Sequence, residues 1–260
     1  MNKLLYICSL SHSGSTLLGL LLGNHPGMVC LGEITKSIKS YNNQQNMCTC
    51  GVHAPDCKIW GPVVQNSQNE KKGDFPGVYD KVIQKTVKTY GSDIRIVDSN
   101  KDLNDLLSLI ALKKYDVRVI FLSKDIRSYL SSMNKRYKKL REKDKRKELL
   151  NKLNAYNAYD WYRSNKRIKN SLSALNADYF QLGYEELCLK PHDVLPKLCN
   201  WLGIEFNDKM LIPGGAKSHI IKGNAMRYDE EKLKGITYDY SWFTRRNLHL
   251  YHLIFSGLNK

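Results

Sequence analysis

Leu4-Leu5-Tyr6-Ile7-Cys8-Ser9-Leu10-Ser11-His12-Ser13-Gly14-Ser15-Thr16-Leu17-Leu18-Gly19-Leu20-Leu21-Leu22-Gly23-Asn24-His25-Pro26 is the stretch on which the reading of this chain turns. Its apolar start, Leu4–Ile7, reads as a buried strand. A turn of small residues, Ser9 to Thr16, follows. The apolar run Leu17–Leu22 then reads as a helix closed by Gly23 and Asn24, with Pro26 beyond. A strand, a glycine-containing turn and a helix start make an anion site. The first N–H groups of a helix have no partner within it, and the positive end of its dipole adds to them. Hydroxyls at Ser13, Ser15 and Thr16 supply further donors.

Outward from this loop, strands and helices alternate. Met28–Leu31 reads as a second strand, ending in Gly32-Glu33-Ile34, and Lys39–Gly77 as a polar, irregular insertion suited to a substrate lid. Val78–Tyr90 has helical spacing. Ile94–Val97 is a buried strand ending in Asp98-Ser99-Asn100-Lys101, and Leu103–Leu112 a helix. Val117–Leu122 is a strand ending in Ser123-Lys124-Asp125. A long basic helix starts near Ile126. Ala155–Leu175 is a second long helix, carrying Tyr156, Tyr159, Trp161 and Tyr162. A further strand, Tyr179–Leu182, ends near Tyr184; Val194–Leu202 is a helix with Pro196 in its first turn, and a last helix lies near Arg246–Phe255. Strands that are apolar throughout and alternate with helices imply an α/β fold, a single domain over 1–260 with a mostly parallel central sheet covered on both faces. Ligands bind such sheets beyond the carboxyl ends of the strands, where Ser13–Thr16, Glu33, Asp98–Lys101, Lys124 and Tyr184 all fall.

Composition narrows the partners. The net charge of +16 over 260 residues favours an anionic ligand. Part of the excess lies in Lys135–Lys152, with ten Lys/Arg against three Asp/Glu, which reads as a solvated helix face. That run holds one aromatic, Tyr137, and no nucleic-acid motif, so no nucleic-acid partner is expected. The N-terminal apolar stretch is interrupted by polar residues from Ser9 to Thr16, unlike a signal peptide, and no apolar run is long enough to span a bilayer. A cytoplasmic location is expected, with no membrane partner. Of seven cysteines, Cys8, Cys30, Cys188 and Cys199 sit in apolar contexts and read as reduced core residues. Cys48, Cys50 and Cys57 surround His53; a zinc site, a local disulfide and plain thiols all stay open, because Cys-x-Cys is not the usual zinc spacing.

The obvious rival for the opening loop is a nucleotide kinase, whose pattern is G-x-x-x-x-G-K-[ST]. Aligned on Gly14 and Thr16, Ser9 takes the first Gly position and Ser15 the Lys position. Ile94–Asp98 mimics a strand bearing an Mg²⁺-binding Asp, but the missing Lys argues against triphosphate chemistry.

His12-Ser13-Gly14-Ser15-Thr16-Leu17, His25-Pro26, Gly32-Glu33, Cys48-Thr49-Cys50-Gly51, Cys57-Lys58-Ile59-Trp60, Asp98-Ser99-Asn100-Lys101, Val117–Ser132 and Tyr184-Glu185-Glu186-Leu187 follow one another in an order and spacing that resembles the sulfotransferases using PAPS (3′-phosphoadenosine 5′-phosphosulfate), bacterial members and tyrosylprotein enzymes included. The resemblance implies PAPS as co-substrate, no required metal, and transfer of a sulfuryl group to a hydroxyl or amine. It places Ser13, Gly14, Ser15, Thr16 and Leu17 on the 5′-phosphate, Lys124, Ser132 and Arg136 on the 3′-phosphate, and Tyr184 on the adenine. Arg127 is read as structural. It makes Glu33 the general base and Lys101 the group that stabilises the transferring sulfuryl. His12 stands where Arg or Lys is usual and, by its protonation state, either stabilises the leaving phosphate or replaces Glu33 as base. The tail Ser218–Arg227 resembles a late loop that closes over the cofactor, so Lys222, Gly223, Asn224 and Arg227 are assigned to it. The acceptor is expected to be a small molecule or carbohydrate, with protein tyrosine as the alternative, contacted by Lys36–Gly77 and the aromatics Tyr156–Tyr162. A monomer or homodimer is expected. A kinase and a non-catalytic nucleotide or nucleic-acid binder are the competing readings.

Overall fold

The computed structural model describes residues 1–39, 46–67, 75–143 and 154–255. Its centre is β1 (Asn2–Ser9), followed by α1 (Ser15–Gly23), β2 (Met28–Gly32), α2 (Ile34–Lys39), α3 (Trp60–Ser67), α4 (Phe75–Tyr90), β3 (Arg95–Lys101), α5 (Leu103–Ala111), β4 (Tyr115–Ser123), α6 (Ile126–Lys143), α7 (Asn154–Ala174), β5 (Tyr179–Gly183), α8 (Tyr184–Leu189) and α9 (Pro191–Leu202). The five strands form one sheet in the order β2-β3-β1-β4-β5. Every pairing is parallel, with Leu4 opposite Ile96 on one side and Val117 on the other. The architecture is the α/β fold with a parallel sheet flanked by helices that the alternation implied.

Alternate residues of β1 serve opposite faces. Leu4, Tyr6 and Cys8 join a core with β2, β3, α3, α4 and α5, whereas Leu5 and Ile7 join a core with α1, α8 and α9. A third cluster packs α6, α7 and the tail around Trp161, Trp242 and Leu248. Full burial on both faces explains why the strands read as unbroken apolar runs. Cys8, Cys30, Cys188 and Cys199 are buried free thiols, as read.

Several boundaries differ from the sequence reading. The insertion Lys39–Gly77 is not wholly irregular: it contains α3 and the start of α4, while 40–45 and 68–74 lie outside the described residues. Asp98–Lys101 belongs to β3 rather than following it. The strand continues because Cys8 pairs with Lys101 across a bulge, after Tyr6 pairs with Asp98. The helix at Val194 starts at Pro191, a ring suited to the first helical position, so Pro196 is internal. The short helix α8 was missed. The basic run is helical to Lys143, and its remainder lies outside the described residues.

The tail returns to the sheet. Cys30 N–H donates to the Lys217 carbonyl (3.0 Å) and His219 N–H to the Cys30 carbonyl (2.8 Å), laying Lys217–His219 along the free edge of β2. This return carries the segment Lys222–Arg227 to the mouth of the opening loop.

Candidate functional site

The loop between β1 and α1 begins with a backbone contortion. His12 has φ +68° and Gly14 φ +93°, both left-handed. Gly14 is required twice: a side chain there would also place its Cβ 2.3 Å from the Tyr184 ring. Gly14 caps α1, and no side chain bonds the first turn of that helix. The uncapped N–H groups and the buried Ser13, Ser15 and Thr16 therefore form a cradle for an anion. Ser15 occupies the first turn where a kinase would place its lysine.

The second group of residues gathers at the ends of β4 and β5. Lys124 is buried; its Nζ donates to Ser132 Oγ (3.1 Å) and lies 4.2 Å from the Tyr184 ring centroid. Ser132 Oγ in turn donates to the Ser128 carbonyl, and Trp161 Nε1 fixes the Lys124 carbonyl at 2.9 Å. Among the described residues no carboxylate pairs with Lys124, and burial lowers its pKa. The structure thus brings Lys124, Ser132, Tyr184 and the opening loop together, with one tyrosine ring touching both anion-seeking ends. Arg136 is exposed and its charge reaches His12. Arg127 grips Asp125 with two bonds and covers Trp242, a structural role as read.

Glu33 follows β2 and is nearly buried. Its carboxylate pairs with Lys101 on one oxygen and with Lys36 Nζ at 2.5 Å on the other. Burial pushes the Glu33 pKa up, but the two ammonium groups outweigh it and hold the carboxyl below its ordinary value. A free base near neutrality was expected to have a raised pKa; in this arrangement the carboxylate is ionised and held by cations. Lys101 has φ +76°, and burial lowers its pKa against the pull of Glu33. Two non-glycine residues in left-handed conformations, each costing on the order of 1–3 kcal/mol, converge on one place. Burial, followed by the charges of Arg136, Lys101 and Lys124, lowers His12 to about 4. This lowering favours the neutral imidazole in the free protein.

Asp98 is fully engaged. It accepts bonds from Tyr79 Oη (2.8 Å), Ile34 N (3.3 Å) and Asn100 N (2.9 Å), and burial raises it to about 7. It orients the turn bearing Glu33, and both of its oxygens accept from donors of the chain itself. His25 is likewise structural: its ring bridges Gly27 N–H and the Glu205 carbonyl.

The tail loop reaches the cradle. Asn224 N–H donates to Thr16 Oγ1 (3.3 Å), and the Lys222 carbonyl accepts from Glu33 N–H. The Arg227 guanidinium donates to the carbonyls of Gly223 (2.6 Å), Asn224 (2.8 Å) and Ile221, so in this structure it shapes the loop.

Beside Lys101 and Lys36 lies a cleft of about 240 Å³ lined by Ser9, Ser11, Lys36, Lys101, Asn104 and Arg167. The aromatics expected to face an acceptor do not line it. Tyr156 and Tyr159 are exposed, Trp161 is core, and Tyr162 packs on Phe255. Helix α7 contributes Ser164, Arg167 and Ile168 instead, polar and basic positions that an aromatic signal could not mark. His53, read with Cys48, Cys50 and Cys57, is exposed; the imidazole that meets those thiols is His219.

The sequence model described as "Sulfotransferase family" matches residues 5–208. No curated protein matches the chain. Among solved structures, the sulfotransferase domain from the curacin biosynthetic pathway is similar at 18% identity, covering 98% of each chain with a TM-score of 0.59. The sulfotransferase domain of the Synechococcus PCC 7002 olefin synthase is similar at 19% identity, over 98% of this chain and 94% of that one, with a TM-score of 0.53. Sulfotransferase STF1 from Mycobacterium tuberculosis H37Rv shares 12% identity over 99% of this chain and 77% of its own, with a TM-score of 0.51.

Proposed function

The chain belongs to the sulfotransferase family, and from that premise we propose that it moves a sulfuryl group from PAPS to a hydroxyl or amine of a small molecule or carbohydrate by in-line displacement. The observation that carries the donor assignment is Lys124. A buried cation with no carboxylate partner among the described residues, bonded to Ser132 and lying against the ring that also roofs the Gly14 cradle, calls for an anion from outside the chain. Two anion sites joined by one aromatic ring fit a nucleotide with phosphates at both the 5′ and 3′ positions. A lone terminal phosphate suits a loop with amides and hydroxyls but Ser15 in place of lysine.

PAPS, when bound, supplies the activated sulfuryl group; the protein supplies alignment and charge. The amides of Ser13–Leu17 hold the 5′-phosphate, and Lys124, Ser132 and Arg136 the 3′-phosphate. Lys101, once its ammonium is drawn to the donor's anionic oxygens, releases Glu33 to take the acceptor proton. Neutral His12 donates a hydrogen bond at the leaving oxygen or takes that proton itself. The segment Lys222–Asn224 shields the cradle from water, with Arg227 setting its shape. The cleft walled by Lys36, Lys101 and Arg167, with serine hydroxyls and Asn104, favours a polar, hydroxylated acceptor over an apolar ring. Among the described residues no helix is long and apolar enough to cross a membrane. We assign the enzyme to the cytoplasm as a monomer or homodimer, with no nucleic-acid partner. Incubation with ³⁵S-labelled PAPS and a panel of hydroxylated and amine acceptors tests the reading: label should move to an acceptor. Tight binding of ATP–Mg²⁺ together with indifference to PAPS would sink it in favour of a kinase.

A further inference from the structure

We infer that Cys48, Cys50, Cys57 and His219 bind one zinc ion that pins the tail to the insertion and so props the wall of the nucleotide site. The four ligand atoms lie within 4.8 Å of one another. Cys48 Sγ and Cys57 Sγ are 3.6 Å apart, and His219 Nδ1 is 3.1 Å from Cys57 Sγ and 3.9 Å from Cys48 Sγ. Ligands at about 2.3 Å for sulfur and 2.0–2.1 Å for nitrogen around a tetrahedral ion stand roughly 3.5–3.8 Å from each other, so the cluster already has the size of a zinc site. Cys48, Cys57 and His219 are all buried, while Cys50 lies at the surface and closes the fourth corner by a side-chain rotation.

The surroundings fit an ion more than they fit loose thiols. His219 has its other nitrogen, Nε2, 2.5 Å from Tyr90 Oη, the outer hydrogen bond that orients a metal-bound imidazole and leaves Nδ1 for the ion. Trp60 Nε1 donates to the His219 carbonyl at 2.6 Å and holds the backbone in place. Three thiolates and Zn²⁺ leave one negative charge, and the ammonium groups of Lys58 and Lys217 both lie over the Tyr90 ring. The segment 46–59 has little regular structure of its own, only a short 3-10 turn at Ala54–Asp56, yet Cys48 and Cys57 are turned inward to one point with Cys50 at its rim. A small irregular loop with its ligands gathered is the setting in which a structural metal substitutes for a core.

The spacing Cys-x-Cys gave no such signal because the histidine comes from a distant part of the chain, next to the strand that bridges β2. Thr49 adds to the joint: its Oγ1 accepts from Ser218 Oγ and Ile220 N–H. Three residues beyond His219 the chain reaches Lys222, whose carbonyl meets Glu33 N–H, and then Asn224 on Thr16. The ion is structural and takes no part in sulfuryl transfer; its four positions are filled by protein.

Untagged protein, purified under reducing conditions from zinc-replete cells, is assayed by elemental mass spectrometry and then exchanged with Co²⁺. The expected result is one zinc per chain and, with cobalt, thiolate charge-transfer bands with the intense visible absorption of a tetrahedral site. His219→Asn should lose the metal and His53→Asn should keep it. Tyr90→Phe, which alters no ligand and should fold, is expected to weaken zinc retention against a chelator by roughly 10- to 100-fold. Reduced wild-type protein that is metal-free, takes up neither Zn²⁺ nor Co²⁺ and melts at the same temperature with or without zinc would overturn the proposal, as would a Cys48–Cys57 disulfide formed in place of metal binding. These readouts need no PAPS, so their failure is separate from failure of the proposed activity.

Discussion

Replacing Lys124 by methionine should do two opposite things. Among the described residues no carboxylate pairs directly with the buried ammonium; Ser132 Oγ at 3.1 Å and the Tyr184 face at 4.2 Å contact it, with the charges of Glu185 and Asp239 farther off. Burial lowers its pKa relative to the unfolded chain, so its charge costs stability at neutral pH; the cost is full below the folded pKa and fades as pH rises through the ordinary lysine value. Apolar replacement of buried ionic groups gains about 1–4 kcal/mol. Loss of the cation–π contact, about 0.5–2 kcal/mol, and of one hydrogen bond offsets most of that. A net gain of about 1 kcal/mol raises the melting temperature of the free protein by roughly 2–4 °C. The same change removes a charge-assisted bond to a 3′-phosphate, about 1.5–3 kcal/mol, or roughly 10- to 150-fold in affinity. Calorimetric titration with 3′-phosphoadenosine 5′-phosphate should show that loss. Adenosine 5′-phosphate, which lacks the 3′ group, should lose much less affinity than the bisphosphate, its remaining loss passing through the Tyr184 ring that Lys124 shares with the cradle. A lower melting temperature accompanied by equal loss of both nucleotides would show that Lys124 is a packing residue, and the assignment of the 3′ site would fall.

Glu33→Gln should cut turnover about 10²- to 10⁴-fold if Glu33 is the base, and strand Lys101 and Lys36 at a stability cost of about 3–5 kcal/mol; adding Lys101→Met should recover the melting temperature without recovering turnover. Near-wild-type turnover of Glu33→Gln would transfer the base to His12. Because cations lower the Glu33 pKa, its contribution to stability is present above the ordinary glutamate value and lost as pH falls through the folded one, a loss that the Gln variant should lack in acid-unfolding curves. His12, lowered to about 4, favours the fold above its unfolded pKa near 6.5 and loses that contribution as pH falls toward 4. A bound dianion neutralises the cations that depress it, so titrations at pH 5–6 in buffers of different ionisation enthalpy should reveal proton uptake that His12→Asn abolishes. Gly14→Ala meets the Tyr184 ring at 2.3 Å from a left-handed backbone and should abolish nucleotide binding in the same titration while lowering the melting temperature.

The strands and the cradle were legible because both are local. Leu4–Ile7 and Leu17–Leu22 declare burial by composition, and the turn between them declares an anion site by its glycine and hydroxyls. The meeting of Lys124 with Ser132 was legible only through the resemblance, which set both on one phosphate, and the two side chains do bond. What escaped was set by distance in the chain or by competition among charges. Residue types alone do not tell that Lys101 and Lys36 hold Glu33 down, or that burial, with the charges of Arg136, Lys101 and Lys124, lowers His12. His219 displaced His53 beside the three cysteines because the tail crosses the edge of β2, a tertiary event with no periodic trace. The bonds that Arg227 gives to the carbonyls of its own loop likewise depend on how that loop folds back, which residue type alone does not show. The cleft lining by Arg167 and Ser164 had no sequence signal, because polar and basic positions on α7 are not distinguished from its solvated face by residue type.

The position of β1 has a consequence for how the molecule is made. Leu4 finds its neighbours at Ile96 and Val117, so the central strand stays unpaired until long stretches of later chain have formed β3 and β4. Its partners arrive late in the chain, and parallel pairings of such range fold slowly. Until they form, an apolar strand has two open edges, the kind of exposed edge that aggregates when synthesis or folding stalls.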